Sequence, residues 1–161
     1  MKHMVELKDL DYSHIAIYKK LFEPNLWPYL QVACWEDEEA YLELCLTRKE
    51  RGIPTFFYLI YAPKENAYVG AIQIRLPDEN PGQLYCWINK QYWGKGYLQE
   101  AIKKTATIYF NETGLTEFTA RVYCENPRSY KALLKAGFEP VGIGSGLYGN
   151  QWILIFKKSN L

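Results

Sequence analysis

The chain has 161 residues, about one domain's worth, and enough to bury a core without disulfide or metal staples. Hydrophobic residues make up 48% and charged residues 23%, a globular composition that excludes a disordered chain. The 19 basic and 18 acidic residues leave a formal charge of +1, which argues against a nucleic-acid protein with a broadly basic face.

Val5–Leu7 reads as a short first strand. Asp11 or Ser13 then caps a helix carrying Ile15, Ile17, Tyr18, Leu21 and Phe22. Pro24-Asn25 ends it, and Trp27-Pro28-Tyr29 follows as an aromatic connector. A second helix begins near Trp35. Its first turn holds Glu36, Asp37, Glu38 and Glu39, which suits the helix dipole, and its apolar stripe is Tyr41, Leu44 and Cys45. After Gly52-Ile53-Pro54 the texture turns to strands: Phe56–Tyr61, then Tyr68–Leu76 beyond a Pro63–Asn66 turn, then Gln83–Asn89 beyond Pro77, Asn80, Pro81 and Gly82. A helix from near Gly94 to Gly114 carries Leu98, Ala101, Ile102, Thr105, Ala106 and Tyr109 on one face. Phe118–Cys124 is a strand. Asn126 and Pro127 open the last helix and Gly137 closes it. Phe138–Ile143 and Gln151–Lys157 pair as a hairpin across Gly144–Asn150. The stretch Gly142–Gly149 reads as a mobile loop at a pocket mouth or as a long hairpin turn.

The order β-α-α-β-β-β-α-β-α-β-β predicts an α/β (α+β) fold, a mixed and mostly antiparallel central sheet flanked by helices. No linker or repeat divides the chain, so one domain spans 1–161. The longest apolar run, Phe56 to Ala62, is too short to span a bilayer. Glu6, Lys8 and Asp9 interrupt any signal-peptide pattern, and the expectation is a cytoplasmic protein with no membrane partner. Cys34, Cys45, Cys86 and Cys124 form no CxxC pair and read as buried thiols. With only His3 and His14 available, no metal site is expected.

The richest segment is Gln91-Tyr92-Trp93-Gly94-Lys95-Gly96-Tyr97, between a strand and the best helix. Two glycines let the backbone approach a ligand, and unpaired N–H groups of a first helical turn can surround an anion such as a pyrophosphate. Lys95 adds charge at the rim. The plainer reading is a glycine turn that merely starts a helix. It is neither a Walker loop nor a dinucleotide fingerprint. The second segment is Asn126-Pro127-Arg128-Ser129-Tyr130, with Lys135-Ala136-Gly137-Phe138 at the helix end.

Together the two segments resemble the GNAT superfamily of acetyl-CoA-dependent N-acetyltransferases. Gln91, Gly94 and Gly96 match its Gln/Arg-x-x-Gly-x-Gly/Ala loop. Asn126, Ser129, Gly137 and Phe138 match its later Asn-x-x-Ser/Ala…Gly-Phe pattern. Tyr85–Tyr97 with Gln99-Glu100-Ala101 looks most like the branch of ribosomal-protein N-terminal and spermidine acetyltransferases. The resemblance implies that the fourth and fifth strands splay apart. Backbone groups of Trp87, Ile88 and Asn89 would then hold the pantetheine arm, and amides of Tyr92 to Tyr97 the pyrophosphate. Asn126 would bond the cofactor, and Ser129 would lie near the arm or the sulfur; both also read as plain helix caps.

The implied reaction is direct attack by a primary amine, that of a protein or peptide N-terminus, a lysine or a small polyamine-like molecule, on the thioester of acetyl-CoA, with no metal. An alkyl ammonium, pKa ~10.4, must first lose a proton, and a thiolate, ~8.5, must regain one. Where many relatives carry a Glu base this chain has Gln83, and where many carry a Tyr acid it has Leu133. Ser129, Tyr130 and Tyr85 remain as proton-handling candidates, although Tyr130 also reads as packing against Leu133 and Leu134. The departures leave a second reading open: a catalytically silent acyl-CoA-binding sensor or interaction domain. On the acceptor side the resemblance points to Trp27, Tyr29, Trp35, Gln83, Tyr148 and Trp152. There Glu36–Glu39 reads either as a lure for a cationic amine or as a solvated helix start. A monomer or a homodimer is expected.

Overall fold

The computed structural model describes residues 3–30, 32–75 and 82–161. The end of the predicted strand at Leu76, and Pro77, Asn80 and Pro81 of the following turn, lie outside the described residues. The described strands are β1 Glu6–Asp9, β2 Phe56–Ala62, β3 Ala67–Arg75, β4 Gly82–Ile88, β5 Glu117–Tyr123, β6 Glu139–Gly146 and β7 Gly149–Lys157. They form one sheet in the order β1-β2-β3-β4-β5-β7-β6. Every neighbouring pair is antiparallel except β4–β5.

Helix α1, Ile15–Leu21, follows a 3₁₀ turn whose N-cap is Asp11, the first of the two predicted caps. The Trp27-Pro28-Tyr29 segment is not an extended connector. Pro24 opens a 3₁₀ turn that runs directly into the short helix α2, Trp27–Leu30, because proline's fixed φ is compatible with a first helical turn. Helix α3 is Trp35–Glu50, with buried Trp35, Leu42, Cys45 and Leu46. Leu44 points to solvent, 49% exposed, since the face toward the sheet runs through positions 35, 42, 45 and 46. Helix α4, Tyr97–Thr113, is bounded by Gly96 and Gly114, both left-handed, and α5, Pro127–Ala136, ends at left-handed Gly137.

The helices cover both faces of the sheet. One core, with Ile72, Ile74, Leu84, Tyr109, Phe118 and Phe156, lies under α4 and α5. The other, with Tyr18, Phe22, Trp35, Leu42, Phe57 and Trp87, lies under α1 to α3. The Gly142–Gly149 stretch is strand almost throughout: β6 and β7 pair up to Gly146↔Gly149, leaving only Leu147-Tyr148 as the turn. Of the four thiols only Cys45 is fully buried; Cys34, Cys86 and Cys124 are half-buried, and none is in a disulfide. Among the described residues no helix is long and apolar enough to cross a membrane.

Candidate functional site

β4 and β5 touch through only two register pairs, Gly82↔Phe118 and Gln83↔Thr119, and then separate. Asn89 donates its N–H to Val69 O of the neighbouring segment at 2.8 Å. In an antiparallel ladder backbone groups alternate sides. Trp87, opposite Ala71, therefore turns its backbone toward β3, while Cys86 and Ile88 turn theirs into the gap. Ile88 O already accepts from Trp93 Nε1 at 2.6 Å. The free edge is therefore the Cys86 backbone and the Ile88 N–H, which corrects the assignment of the arm to Trp87, Ile88 and Asn89. Asn89 is buried and structural: its Nδ2 donates to Leu21 O and its Oδ1 accepts from Gln91 N–H.

The gap opens onto a groove of about 200 Å³ lined by residues of the 92–99 stretch and by Asn126, Arg128, Ser129 and Lys135. Here the loop differs from expectation by two residues. Tyr92 N–H and Trp93 N–H bond Asn89 O and Lys90 O in a 3₁₀ turn. The amides of residues 94–99 have no acceptor among the described residues. Gly94 and Gly96 have φ of +78° and +82°, and a Cβ on Gly94 would meet nothing within 4 Å. That cradle of donors with open space above it fits a pyrophosphate.

Lys95 lines the groove and can serve its rim only in competition with Glu65, which its Nζ pairs at 3.1 Å. The cations free to do so are Arg128, whose guanidinium lies 3.4 Å from the Trp93 ring centroid, and Lys135. Neither was singled out from the sequence, because Arg128 looks there like an exposed helix-start residue. Asn126 caps α5 through Ser129 N–H and donates Nδ2 to Ser129 Oγ at 3.0 Å. Both residues also line the groove, so capping and lining coexist. Gln91, although part of the matched motif, does not line the groove.

A middle cavity of about 650 Å³ shares Tyr29, Leu30, Cys86, Leu98, Asn126 and Ser129 with the groove and adds Gln83, Tyr85 and Leu133. A further cavity of about 450 Å³ lies toward α3, lined by Glu38, Tyr41, Arg75, Tyr85, Trp87 and Tyr148 among others. Trp87 and Leu30 are common to this cavity and the groove. Tyr29, Gln83 and Tyr148 therefore sit on the cavities as expected.

Trp27, Trp35, Trp152 and Tyr130 do not. Trp27 donates to Phe22 O and packs on the α1–α3 core, and Trp35 is buried in that core with its Nε1 on Glu39. Tyr130 stacks on Trp152 with ring centroids 4.8 Å apart and packs against the core cluster that contains Leu133. These large rings go where they bury most apolar area.

The residue that sequence reasoning did not separate from its neighbours is Glu38. Glu36 and Asp37 are exposed, as a solvated helix start requires. Glu38 follows Trp35 by three positions and turns inward, where it accepts from Tyr18 Oη at 3.0 Å; Tyr18 Oη in turn accepts from Trp87 Nε1 at 3.3 Å. Burial pushes its carboxyl above the ordinary value, against the opposing pull of the Tyr18 bond and the Arg75 charge. The i, i+3 spacing from Trp35 was the available signal. Cys86 lies at the gap with burial raising its thiol to about 12, so it stays a neutral thiol there. Among the described residues no group of three His, Cys, Asp or Glu side chains is placed to hold a metal.

Comparison with known proteins agrees with this geometry. The family model described as "Acetyltransferase (GNAT) domain" matches residues 5–139. A curated Bacillus subtilis protein, "Uncharacterized N-acetyltransferase YoaA", is 34% identical over 53 residues, 33% of this chain and 30% of that protein. The ribosomal alpha-N-protein acetyltransferase RimL in complex with coenzyme A superposes with a TM-score of 0.79 at 16% identity, covering 99% of this chain and 97% of that one. A chimera of spermidine N-acetyltransferase SpeG from Vibrio cholerae and hSSAT gives 0.76 at 16% identity, covering 98% and 97%. At these identities the two structures establish a shared fold, and they come from the two kinds of acetyltransferase that the Tyr85–Tyr97 string resembles.

Proposed function

Because this chain belongs to the GNAT acetyltransferase family, and so is an acyltransferase, we propose that it moves the acetyl group of acetyl-CoA to a primary amine within a ternary complex. The observation that carries this reading is the parting of β4 and β5 after Gln83, beside the unpaired amides of residues 94–99.

The Cys86 and Ile88 backbone would pair with the pantetheine arm, the 94–99 amides would take the pyrophosphate, and Arg128 and Lys135 would supply positive charge at the groove. When bound, acetyl-CoA supplies an acetyl group activated as a thioester. This chain's residues orient the partners and move protons. Glu38 is the inward carboxylate positioned to take a proton from an incoming ammonium, and burial, by raising its pKa, makes the ionised carboxylate a stronger base. The Ser129 hydroxyl accepts from Asn126 and has no acceptor of its own among the described residues, so it can donate a proton at the gap. Tyr85 lines both acceptor-side cavities, with its ring on the Arg75 guanidinium, and would orient the acceptor there. The absent strand glutamate does not forbid turnover. Positioning two reactants supplies roughly 7–11 kcal/mol, against about 10²–10⁴-fold from acid–base help.

The test is coenzyme A titration followed by acetyl-CoA with a mixed amine and peptide library, read as free thiol. Binding with turnover on at least one amine is expected, and binding with none would leave a silent acyl-CoA-binding domain. The rate at fixed total amine should rise between neutral and alkaline pH as free amine accumulates. Gly94→Glu puts a carboxylate and a Cβ over the anion cradle at a left-handed position. It should weaken coenzyme A binding more than tenfold, roughly the effect of 1.4 kcal/mol. Unchanged affinity in a folded variant would reject the loop assignment.

A further inference from the structure

The cavity toward α3 is lined by two carboxylates, exposed Asp37 and inward Glu38, and by the cation Arg75, and Glu38 and Arg75 do not pair with each other. Glu38 and Arg75 both line it and feel one another electrostatically, yet neither is in an ion pair among the described residues. Each is pinned by neutral partners instead. Glu38 is fixed by Tyr18 Oη at 3.0 Å. The Arg75 guanidinium lies between two aromatic rings, 4.4 Å from the Tyr41 centroid and 4.3 Å from the Tyr85 centroid. Its Nε donates to Tyr41 Oη at 2.8 Å, and that oxygen also accepts from buried Gln73 at 2.6 Å. Gln73 and Arg75 therefore fix the Tyr41 oxygen between them, and the guanidinium plane cannot swing freely. Its two Nη nitrogens have no acceptor among the described residues.

A guanidinium fixed in plane, with Nε used and both Nη groups left over, presents the fork that binds a carboxylate. Holding a bare cation beside a recognition cavity is otherwise unfavourable for binding cationic ligands. A polyamine would set its ammonium groups at Glu38 and Asp37 but leave Arg75 without an anion. A zwitterion satisfies both walls, with its ammonium at Glu38 and its carboxylate at Arg75. The cavity's 450 Å³ is within the range of small-ligand sites.

We propose that the acceptor is an amine that also carries a free carboxylate, an amino acid or close derivative, with Arg75 as its carboxylate-binding residue and Tyr41 and Tyr85 as the clamp that orients Arg75. This rests on the acyltransferase reading above and narrows its acceptor. It also sets this chain apart from any relative that takes an all-cationic amine.

The test compares free amino acids, the same amino acids as C-terminal amides, and spermidine, each with acetyl-CoA and thiol release as the readout. For the wild-type protein, kcat/KM for free acids should exceed that for their amides by about 10- to 100-fold, the cost of leaving a charged partner unbonded. Arg75→Gln should raise KM for the free acid by at least about tenfold and abolish the acid-over-amide preference. Arg75→Lys, which keeps the charge but loses the fork, should restore only part of that preference. Unchanged coenzyme A affinity shows that each variant is folded. Equal turnover of acids and amides, or better turnover of spermidine or a peptide N-terminus, overturns the proposal while the acetyltransferase reading stands. Coenzyme A binding without turnover on any amine overturns both.

Discussion

Four consecutive acidic residues open α3, and tertiary contacts give them different environments. Glu36 and Asp37 stay in water, Glu39 accepts from the Trp35 indole, and Glu38 is drawn under Tyr18. Burial raises the Glu38 carboxyl above its unfolded value of 4.5. The sign follows from linkage: a raised folded pKa means the fold prefers the protonated acid. Its stabilising effect is complete below the unfolded value and disappears as pH rises through the folded one. Glu38→Gln keeps an acceptor for Tyr18 without the buried charge. It should therefore melt higher than wild type at pH 8, with the difference shrinking toward pH 4. A lower melting temperature at pH 8 would show that the charge is compensated by Tyr18 and Arg75. The helix-start preference for acid was readable from the run itself, but which of the four would turn inward was not. That choice depends on Tyr18 of α1 and Trp87 of β4 arriving from elsewhere.

β3 and β4 must lie unusually close for the β4 edge to be presented as it is. A Cβ on Gly70 would fall 2.1 Å from Trp87 O. Gly70→Ala must therefore push the strands apart, at about 1–3 kcal/mol of overpacking. At roughly 2–4 °C per kcal/mol this predicts a melting temperature lower by several degrees. Coenzyme A should also bind more weakly, because Cys86 and Ile88 lie on the strand that moves. Gly142→Ala, on the exposed edge strand β6 with no atom within 4 Å, is the matched control and should melt with wild type. The caps of α4 and α5 were legible because Gly114, Asn126, Pro127 and Gly137 specify their own backbone conformations. The short helix α2 and the continuous β6–β7 hairpin were not. Proline and glycine mark breaks locally, but here Pro24 opens a turn that continues into α2, and β7 supplies the ladder that carries β6 through its glycines.

The splayed sheet leaves backbone valence that coenzyme A would fill under the proposed function. Filling it should be visible globally. At a coenzyme A concentration of about 100 times Kd, linkage gives about 2.7 kcal/mol, a rise in melting temperature of roughly 5–10 °C. Amide hydrogen exchange should slow at Cys86, Ile88 and residues 94–99, and not at Tyr92 or Trp93, whose amides are already bonded within the protein. Protection at Tyr92 and Trp93 instead would place the anion two residues earlier in the loop.

Periodicity, caps and the two glycine-bearing motifs were enough to set the strands, the long helices and the family resemblance, because each depends on contacts within a few residues. The presence of Arg128 and Lys135 at the groove and the nearness of Glu38 to Arg75 depend on which distant segments meet. The same holds for the fate of the aromatics: Trp27, Trp35, Trp152 and Tyr130 went to packing while Tyr29, Tyr85 and Tyr148 reached the cavities. A ring's identity gives its area and its hydrogen-bonding tip, but the direction it faces is fixed only when the sheet and both helical layers close around it.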